Sequence, residues 1–98
     1  MKFLFKKPVE ELSLSEFKKL MSDKPIQEKN KILDYLNKYK PSAFTSEPVF
    51  DKITGEQVYE VDNGHTDGTY QWYESDIYHL RKYNLKLNDD FIEYVLSK

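Results

Sequence analysis

The chain has 98 residues, 39% hydrophobic and 15% aromatic, with a formal net charge of -2 at pH 7. This length fits a single domain, 1–98, with one small core. Cysteine is absent, which excludes disulfides, thiolate nucleophiles and thiolate metal sites. No stretch approaches the roughly 18 apolar residues of a membrane span, and the apolar run near Met1 is too short for a signal peptide. We therefore expect a cytoplasmic domain with no membrane partner.

The charge is distributed unevenly along the chain. Residues 1–40 contain ten lysines and six acidic residues, whereas residues 41–98 contain five basic and eleven acidic residues. Within 43–79, eight acidic residues accompany a single cation, Lys52. Such a segment attracts a cationic surface, although it is also compatible with an ordinary solvated strand face. Arg81 is the only arginine, and arginine forks are common in nucleic-acid recognition, so we expect no direct nucleic-acid contact.

Capping residues and apolar periodicity predict two helices before the acidic segment and two short helices after it. The helices begin after Ser13, Asp23, Ser75–Asp76 and Asn88. The first is expected over 14–22, the second ends before Pro41, and the third ends at Asn84 in a left-handed conformation. Weak alternation over residues 1–7 is compatible with an edge strand.

The middle of the chain has the composition of β-strands separated by turns. Val49–Phe50 and Gln57–Val61 predict a hairpin closed at Gly55, and residues 69–73 predict a third strand that would place Trp72 in the core. Asp62–Gly64 and Asp67–Gly68 have the residues of turns. The expected fold is α+β, with two N-terminal helices, a three-stranded antiparallel sheet and two short C-terminal helices.

The sequence contains few signals of catalysis. Three glycines cannot form a glycine-rich phosphate loop, and no Gly-x-Ser-x-Gly motif is present. His65, Asp67 and His79, with Asp62 and Asp76 nearby in sequence, have the side chains of a Zn²⁺ or Mn²⁺ site, but no second histidine follows at helical spacing. Paired carboxylates lie where helix starts usually collect acids. We therefore expect no enzyme activity, no cofactor and no metal.

Polar and aromatic residues are densest between residues 62 and 76. Aromatic side chains commonly anchor protein interfaces, and neighbouring carboxylates suit a basic protein partner. The predicted partner-binding residues are Glu47, Glu60, Asp62, Asp67, Tyr70, Tyr73, Glu74 and Asp76.

Several segments also match a recurrent pattern. Thr66-Asp67-Gly68-Thr69-Tyr70-Gln71-Trp72 is followed by Asp76-Ile77-Tyr78 and by Lys82-Tyr83-Asn84-Leu85-Lys86-Leu87-Asn88-Asp89-Asp90-Phe91-Ile92. These segments, with 32–36 and 51–56, make the chain resemble a group of small bacterial proteins. That group has Thr-Asp-Gly-x-Tyr-x-Trp and Tyr-x-Leu-x-Leu-Pro-x-x-Phe patterns; here Asn88 replaces its proline. The group is similar to immunity partners of bacterial toxins, so the resemblance implies an immunity role.

Three functions follow as hypotheses. The leading one is a non-enzymatic immunity protein that blocks a toxin domain through an acidic face. The second is a phage or mobile-element protein that inhibits a host nuclease by imitating nucleic-acid charge. The third is a small metal-dependent enzyme at His65, Asp67 and His79.

Overall fold

The computed structural model describes residues 2–98 and is an α+β fold, as predicted. Its helices are α1 (Leu14–Leu20), α2 (Lys29–Lys38), α3 (Glu74–Tyr83) and α4 (Asp89–Leu96), with a 3-10 helix at Val9–Glu11. Its strands are β1 (Lys2–Phe3), β2 (Val49–Phe50), β3 (Gln57–Tyr59), β4 (Gly64–Thr66) and β5 (Tyr70–Tyr73). None of the helices in this part of the chain is long and apolar enough to span a bilayer.

The strands form two sheets, so the prediction of one three-stranded antiparallel sheet was wrong. β2 and β3 pair only with each other, while the other sheet has the order β1-β5-β4. In that sheet β5 runs antiparallel to β4 and parallel to β1. β1 is an edge strand of this sheet, as the alternation over residues 1–7 allowed. Its parallel pairing with β5 was not predicted, because that pairing has no local signal, and β4 was missed because it resembles a turn.

The two sheets are joined by an irregular ribbon, in which residues 43–50 run antiparallel to 57–64. At its base, Ala43 and Gly64 exchange backbone hydrogen bonds of 3.2 and 2.7 Å. Next along, the hydroxyl of Thr45 donates to the carbonyl of Asp62 at 3.0 Å and accepts from its N–H at 3.3 Å. β2 and β3 continue the pairing. The ribbon is therefore paired at its base and near its tip, with a register shift between Val49 and Phe50.

The helix ends show which local signals were sufficient. Ser13 and Glu16 form the predicted capping box, with each side chain accepting a backbone N–H of the other residue. Asn84 ends α3 with φ 52°, also as predicted. The predicted start of α2 at Asp23 was wrong: Glu28 has φ 56° and α2 begins only at Lys29.

One cluster of buried side chains joins the four helices, strand β5 and the N-terminal segment. Trp72, in β5, is fully buried at its centre, as expected from the alternation of its strand. The cluster contains Leu4, Phe5, Val9, Leu12, Phe17, Ile32, Leu36, Tyr70, Trp72, Ile77, Leu80, Leu85, Leu87, Phe91 and Val95. The ribbon contributes no side chain to this cluster, and several of its apolar side chains are exposed to solvent.

Candidate protein-binding site

The eight predicted partner-binding residues do not share one exposed face. Glu47 and Glu60 are exposed, Asp67, Tyr73 and Glu74 are half-buried, and Asp62, Tyr70 and Asp76 are buried. The alternation that places Trp72 in the core does the same for Tyr70, whereas the burial of Asp62 and Asp76 was not expected. Their positions show that the acidic segment contains both structural acids and surface acids.

Asp76 has an internal role. Its Oδ1 accepts the Val9 N–H and its Oδ2 accepts the Tyr73 N–H, both at 2.8 Å. These bonds tie the 3-10 helix to the start of α3. Burial raises the pKa of Asp76 to about 7, and repulsion from Asp62 and Glu10 acts in the same direction, while the two backbone donors oppose it.

Asp62 and Asp67 fix other chain segments. The carboxylate of Asp62 accepts the N–H and the hydroxyl of Ser75 at 2.9 and 2.8 Å, which ties the ribbon to α3. Asp67 accepts hydroxyls from Tyr35 of α2 and Tyr94 of α4. Burial raises the pKa of Asp67, but these donors and two backbone N–H groups outweigh it and hold the pKa below its ordinary value.

Within the acidic segment, residues 43–79, aspartates and glutamates have different environments. Its four aspartates, including Asp51 in the ribbon turn, all accept internal hydrogen bonds. Its four glutamates lie at the surface: Glu47, Glu56 and Glu60 are exposed and Glu74 is half-buried. The exposed negative charge of this segment is therefore carried by glutamates.

The candidate metal ligands do not converge. Both ring nitrogens of His65 and of His79 contact protein atoms, and within residues 2–98 no group of three or more possible ligands could hold a metal ion. The partners are Tyr39 O at 2.8 Å and Glu74 Oε2 at 3.3 Å for His65, and Ser75 O at 2.7 Å and Lys52 N at 3.1 Å for His79. Each histidine connects separate parts of the fold.

Several surface acids meet at one pocket, here called the acidic pocket, with a volume of about 280 Å³. It is lined by Pro8, Glu10, Glu11, Thr45, Glu47, Asp62 and Tyr73. Three of the predicted binding residues are in this set. Glu10 and Glu11 were missed, because carboxylates next to a helix start are usually read as caps and no local signal shows that the 3-10 helix faces the ribbon.

Burial and neighbouring carboxylates disfavour the negative charge of Glu10 in the pocket. Burial raises the pKa of Glu10, and repulsion from Asp62 and Glu47 raises it further, against attraction from Lys52. The ammonium of Lys52 donates to the Leu12 carbonyl at 2.9 Å. A cation entering the pocket would therefore relieve repulsion among carboxylates that the fold holds together.

The ribbon adds further exposed acids. Glu47 lines the pocket, and Glu60 lies on the other strand of the ribbon and is exposed to solvent. Both carboxylates are accessible to a cationic partner.

Comparison of the chain with protein-family models, curated proteins and solved structures gave no match. Function is therefore proposed from the geometry and charge of the acidic pocket and its surroundings.

Proposed function

We propose that this chain is a non-enzymatic protein-binding domain whose acidic pocket receives a lysine or arginine side chain of a basic protein. The observation that carries the proposal is the meeting of Glu10, Glu11, Glu47 and Asp62 around one pocket of about 280 Å³. That volume is just below the range of small-molecule sites, which commonly measure roughly 300–1,000 Å³, and it suits a single side chain. Carboxylates that already repel one another favour a cation.

The proposed partner is a toxin domain, and the proposed role is immunity by covering the toxin's basic surface. The resemblance at residues 66–72 and 82–92 supports this assignment, as does the local excess of acid. Inhibition of a host nuclease is the second candidate, since carboxylates at a nuclease's basic cleft would replace phosphates. Both roles use the same pocket and differ in target.

Selection from a library of random displayed peptides tests the pocket. The wild-type chain should enrich arginine- and lysine-containing peptides, and the enrichment should weaken with added salt. The pocket triple variant, Glu10→Gln, Glu11→Gln and Glu47→Gln, should lose it. A matched triple variant on α4, Asp89→Asn, Asp90→Asn and Glu93→Gln, removes the same charge at exposed positions and should keep it. Equal loss in both variants, or no basic enrichment, would overturn the proposal.

Immunity is tested separately, by expressing the product of each gene that neighbours this chain's gene and measuring whether it is toxic. Co-expression should restore growth of cells that produce the toxin, and the pocket triple variant should lose protection that the α4 variant retains. A neighbouring gene without toxicity would contradict immunity. Inhibition of a host nuclease by the purified chain would instead support the second candidate.

A further inference from the structure

A second cavity, of about 300 Å³, lies where four segments of the chain meet, and it shares no lining residue with the acidic pocket. Its walls come from the N-terminal segment, the residue that follows the 3-10 helix, α1, and the link between α3 and α4. Backbone hydrogen bonds hold these walls together. The N–H of Lys86 donates to the Leu20 carbonyl at 2.9 Å, and the N–H of Asn88 donates to the Leu4 carbonyl at 2.9 Å. The fold itself therefore builds this cavity.

The apolar part of the lining is recessed. It is formed by Phe5, Leu12 and Leu20. Phe5 is only 2% exposed and Leu12 only 5%, and both belong to the core cluster, against which Leu20 packs. A surface that binds a bilayer instead presents its apolar side chains outward. A single apolar tail that enters the cavity can reach these side chains, whereas a flat membrane surface cannot.

The rim of the same cavity is cationic. Lys6, Lys19 and Lys86 line it, and all three are exposed. They come from three separate segments, so tertiary packing rather than a local run of lysines brings them together. Like charges held near one another repel, and an anion between them lowers that cost.

Glu16 adds a carboxylate to the rim, but this carboxylate is already engaged. Its Oε1 accepts the backbone N–H of the capping box at 2.9 Å and lies 3.5 Å from the Lys7 ammonium, while its Oε2 lies 4.0 Å from the Lys6 ammonium. Within residues 2–98, the ion pairs do not include Lys19 or Lys86. These two ammonium groups therefore leave the rim with positive charge for a ligand.

We propose that this cavity binds a small amphipathic anion, an apolar tail of medium length that ends in a carboxylate. The tail would pack on the recessed apolar lining, and the carboxylate would lie between the ammonium groups of Lys19 and Lys86. A mostly apolar lining with a few polar groups that fix orientation is typical of small-molecule sites, and about 300 Å³ is the lower limit of their usual volume. A compact ligand therefore fits best.

The walls are less suited to a peptide. The N–H groups of Lys86 and Asn88 already donate within the fold, so the cavity does not offer these main-chain donors to an extended chain. What it offers is charge from lysine side chains, which a small carboxylate can use without main-chain pairing.

NMR titration of the full nitrogen-15-labelled chain with sodium octanoate tests the site. Octanoate should shift the amide signals of the lining residues, with a dissociation constant on the order of 0.1–1 mM, as expected for a ligand of about ten non-hydrogen atoms. Acetate has the head group without the tail and should bind at least about tenfold more weakly. Octylammonium has the tail with the opposite charge and should leave these signals unchanged.

A charge variant connects the binding to the rim. The double variant Lys19→Gln and Lys86→Gln should raise the dissociation constant for octanoate at least about fivefold, since two exposed ion pairs with the ligand are lost. The matched control, Lys31→Gln and Lys40→Gln, removes the same charge at exposed positions outside the cavity and should bind like the wild type. Added salt should weaken binding to the wild type.

Four results would overturn the proposal. Octanoate could cause no shifts at about 10 mM, tenfold above the weakest expected constant. Acetate or octylammonium could bind as well as octanoate, or the two double variants could weaken binding equally. The peptide acetyl-Glu-Phe-Glu-amide could shift the lining signals where octanoate does not, which would assign the cavity to a protein partner. Loss of basic-peptide capture in the pocket triple variant concerns the acidic pocket alone.

Discussion

The hydroxyl oxygen of Tyr83 lies 2.6 and 2.7 Å from the two carboxylate oxygens of Asp51. The Tyr78 hydroxyl donates to the same carboxylate at 2.7 Å, and the Lys82 ammonium also donates to it at 2.9 Å. Three α3 side chains therefore converge on one ribbon residue. Asp51 is 1% exposed. Burial raises its pKa, but the donors outweigh this and hold the pKa far below its ordinary value. This carboxylate fastens the tip of the ribbon to α3.

Replacing Asp51 should therefore release the ribbon tip. Asp51→Asn leaves the Lys82 ammonium without its anion and removes an acceptor from a crowded donor set, so we expect a loss of about 3 kcal/mol in the free energy of unfolding. Tyr78→Phe removes one donor of several and should cost about 1 kcal/mol. Urea unfolding at pH 7 measures both. A loss below 1 kcal/mol for Asp51→Asn would contradict the role of this cluster.

The pH dependence of stability should show two opposing groups. Burial raises the pKa of Asp76 to about 7, so the folded chain binds a proton more tightly than the unfolded chain, and Asp76 favours folding less as the pH rises from about 4 to 7. Burial lowers the pKa of His79, so its contribution is lost as the pH falls below about 6.5. The two contributions oppose each other between pH 5 and 6.5.

Replacing Asp76 should make the effect of His79 on the pH dependence of stability visible. Asp76→Asn should show a melting temperature that falls more steeply than that of the wild type as the pH drops from 6.5 to 5. Carbon-13 NMR titration of the wild-type Asp76 carboxyl group measures the pKa directly, whether or not the variant folds. A midpoint near pH 4 would refute the prediction.

Gly64 should be intolerant of a side chain where the ribbon meets the sheet. A Cβ at this position would lie 3.2 Å from the Ala43 Cβ and 3.2 Å from the Tyr73 Cε1. Gly64→Ala should thus destabilise the fold by about 1–3 kcal/mol, the usual range for overpacking. Ala43→Gly removes the contact with the Ala43 Cβ and should recover part of this loss in the double variant. Thermal unfolding of the wild type, the two single variants and the double variant provides the test. If the double variant recovers no stability, the contact with Ala43 is not the cause of the loss.

Local chemistry predicted those features that depend on neighbouring residues. The Ser13 and Glu16 capping box and the left-handed Asn84 are formed within a few residues, and both are present. The pairing of β1 with β5 joins opposite ends of the chain, so no short segment records it. The cap at Asp23 is chemically suitable but unused, since the left-handed Glu28 starts α2 later.

The sequence shows the excess of acid in the middle of the chain but not how the acids are arranged. Net charge does not distinguish an acid that binds a backbone N–H from one that faces solvent. Aspartate's short side chain reaches nearby backbone donors readily: Asp51, Asp67 and Asp76 each accept an N–H from within three residues. Asp62 instead accepts from Ser75, which is distant in sequence. Glu10 reaches the pocket only through tertiary packing.

Asp67 should couple α2 to α4 through a shared oxygen. Its Oδ2 accepts the Tyr35 hydroxyl at 2.5 Å and the Tyr94 hydroxyl at 2.8 Å, while its Oδ1 accepts the Tyr70 N–H at 2.7 Å. Tyr35→Phe and Tyr94→Phe should each cost about 1 kcal/mol. Because both donors use one acceptor, the double variant should depart from additivity by at least about 0.5 kcal/mol.

Alkaline pH offers an independent measurement of the same contact. Burial raises the pKa of Tyr35, and its bond to the Asp67 carboxylate raises it further. The hydroxyl therefore keeps its proton in the folded chain, and its stabilising contribution is present below pH 10, roughly the unfolded pKa, and lost progressively above it. Tyr35→Phe should flatten the decline in melting temperature above pH 10. An unchanged decline in that variant would show that Tyr35 ionises freely in the folded chain.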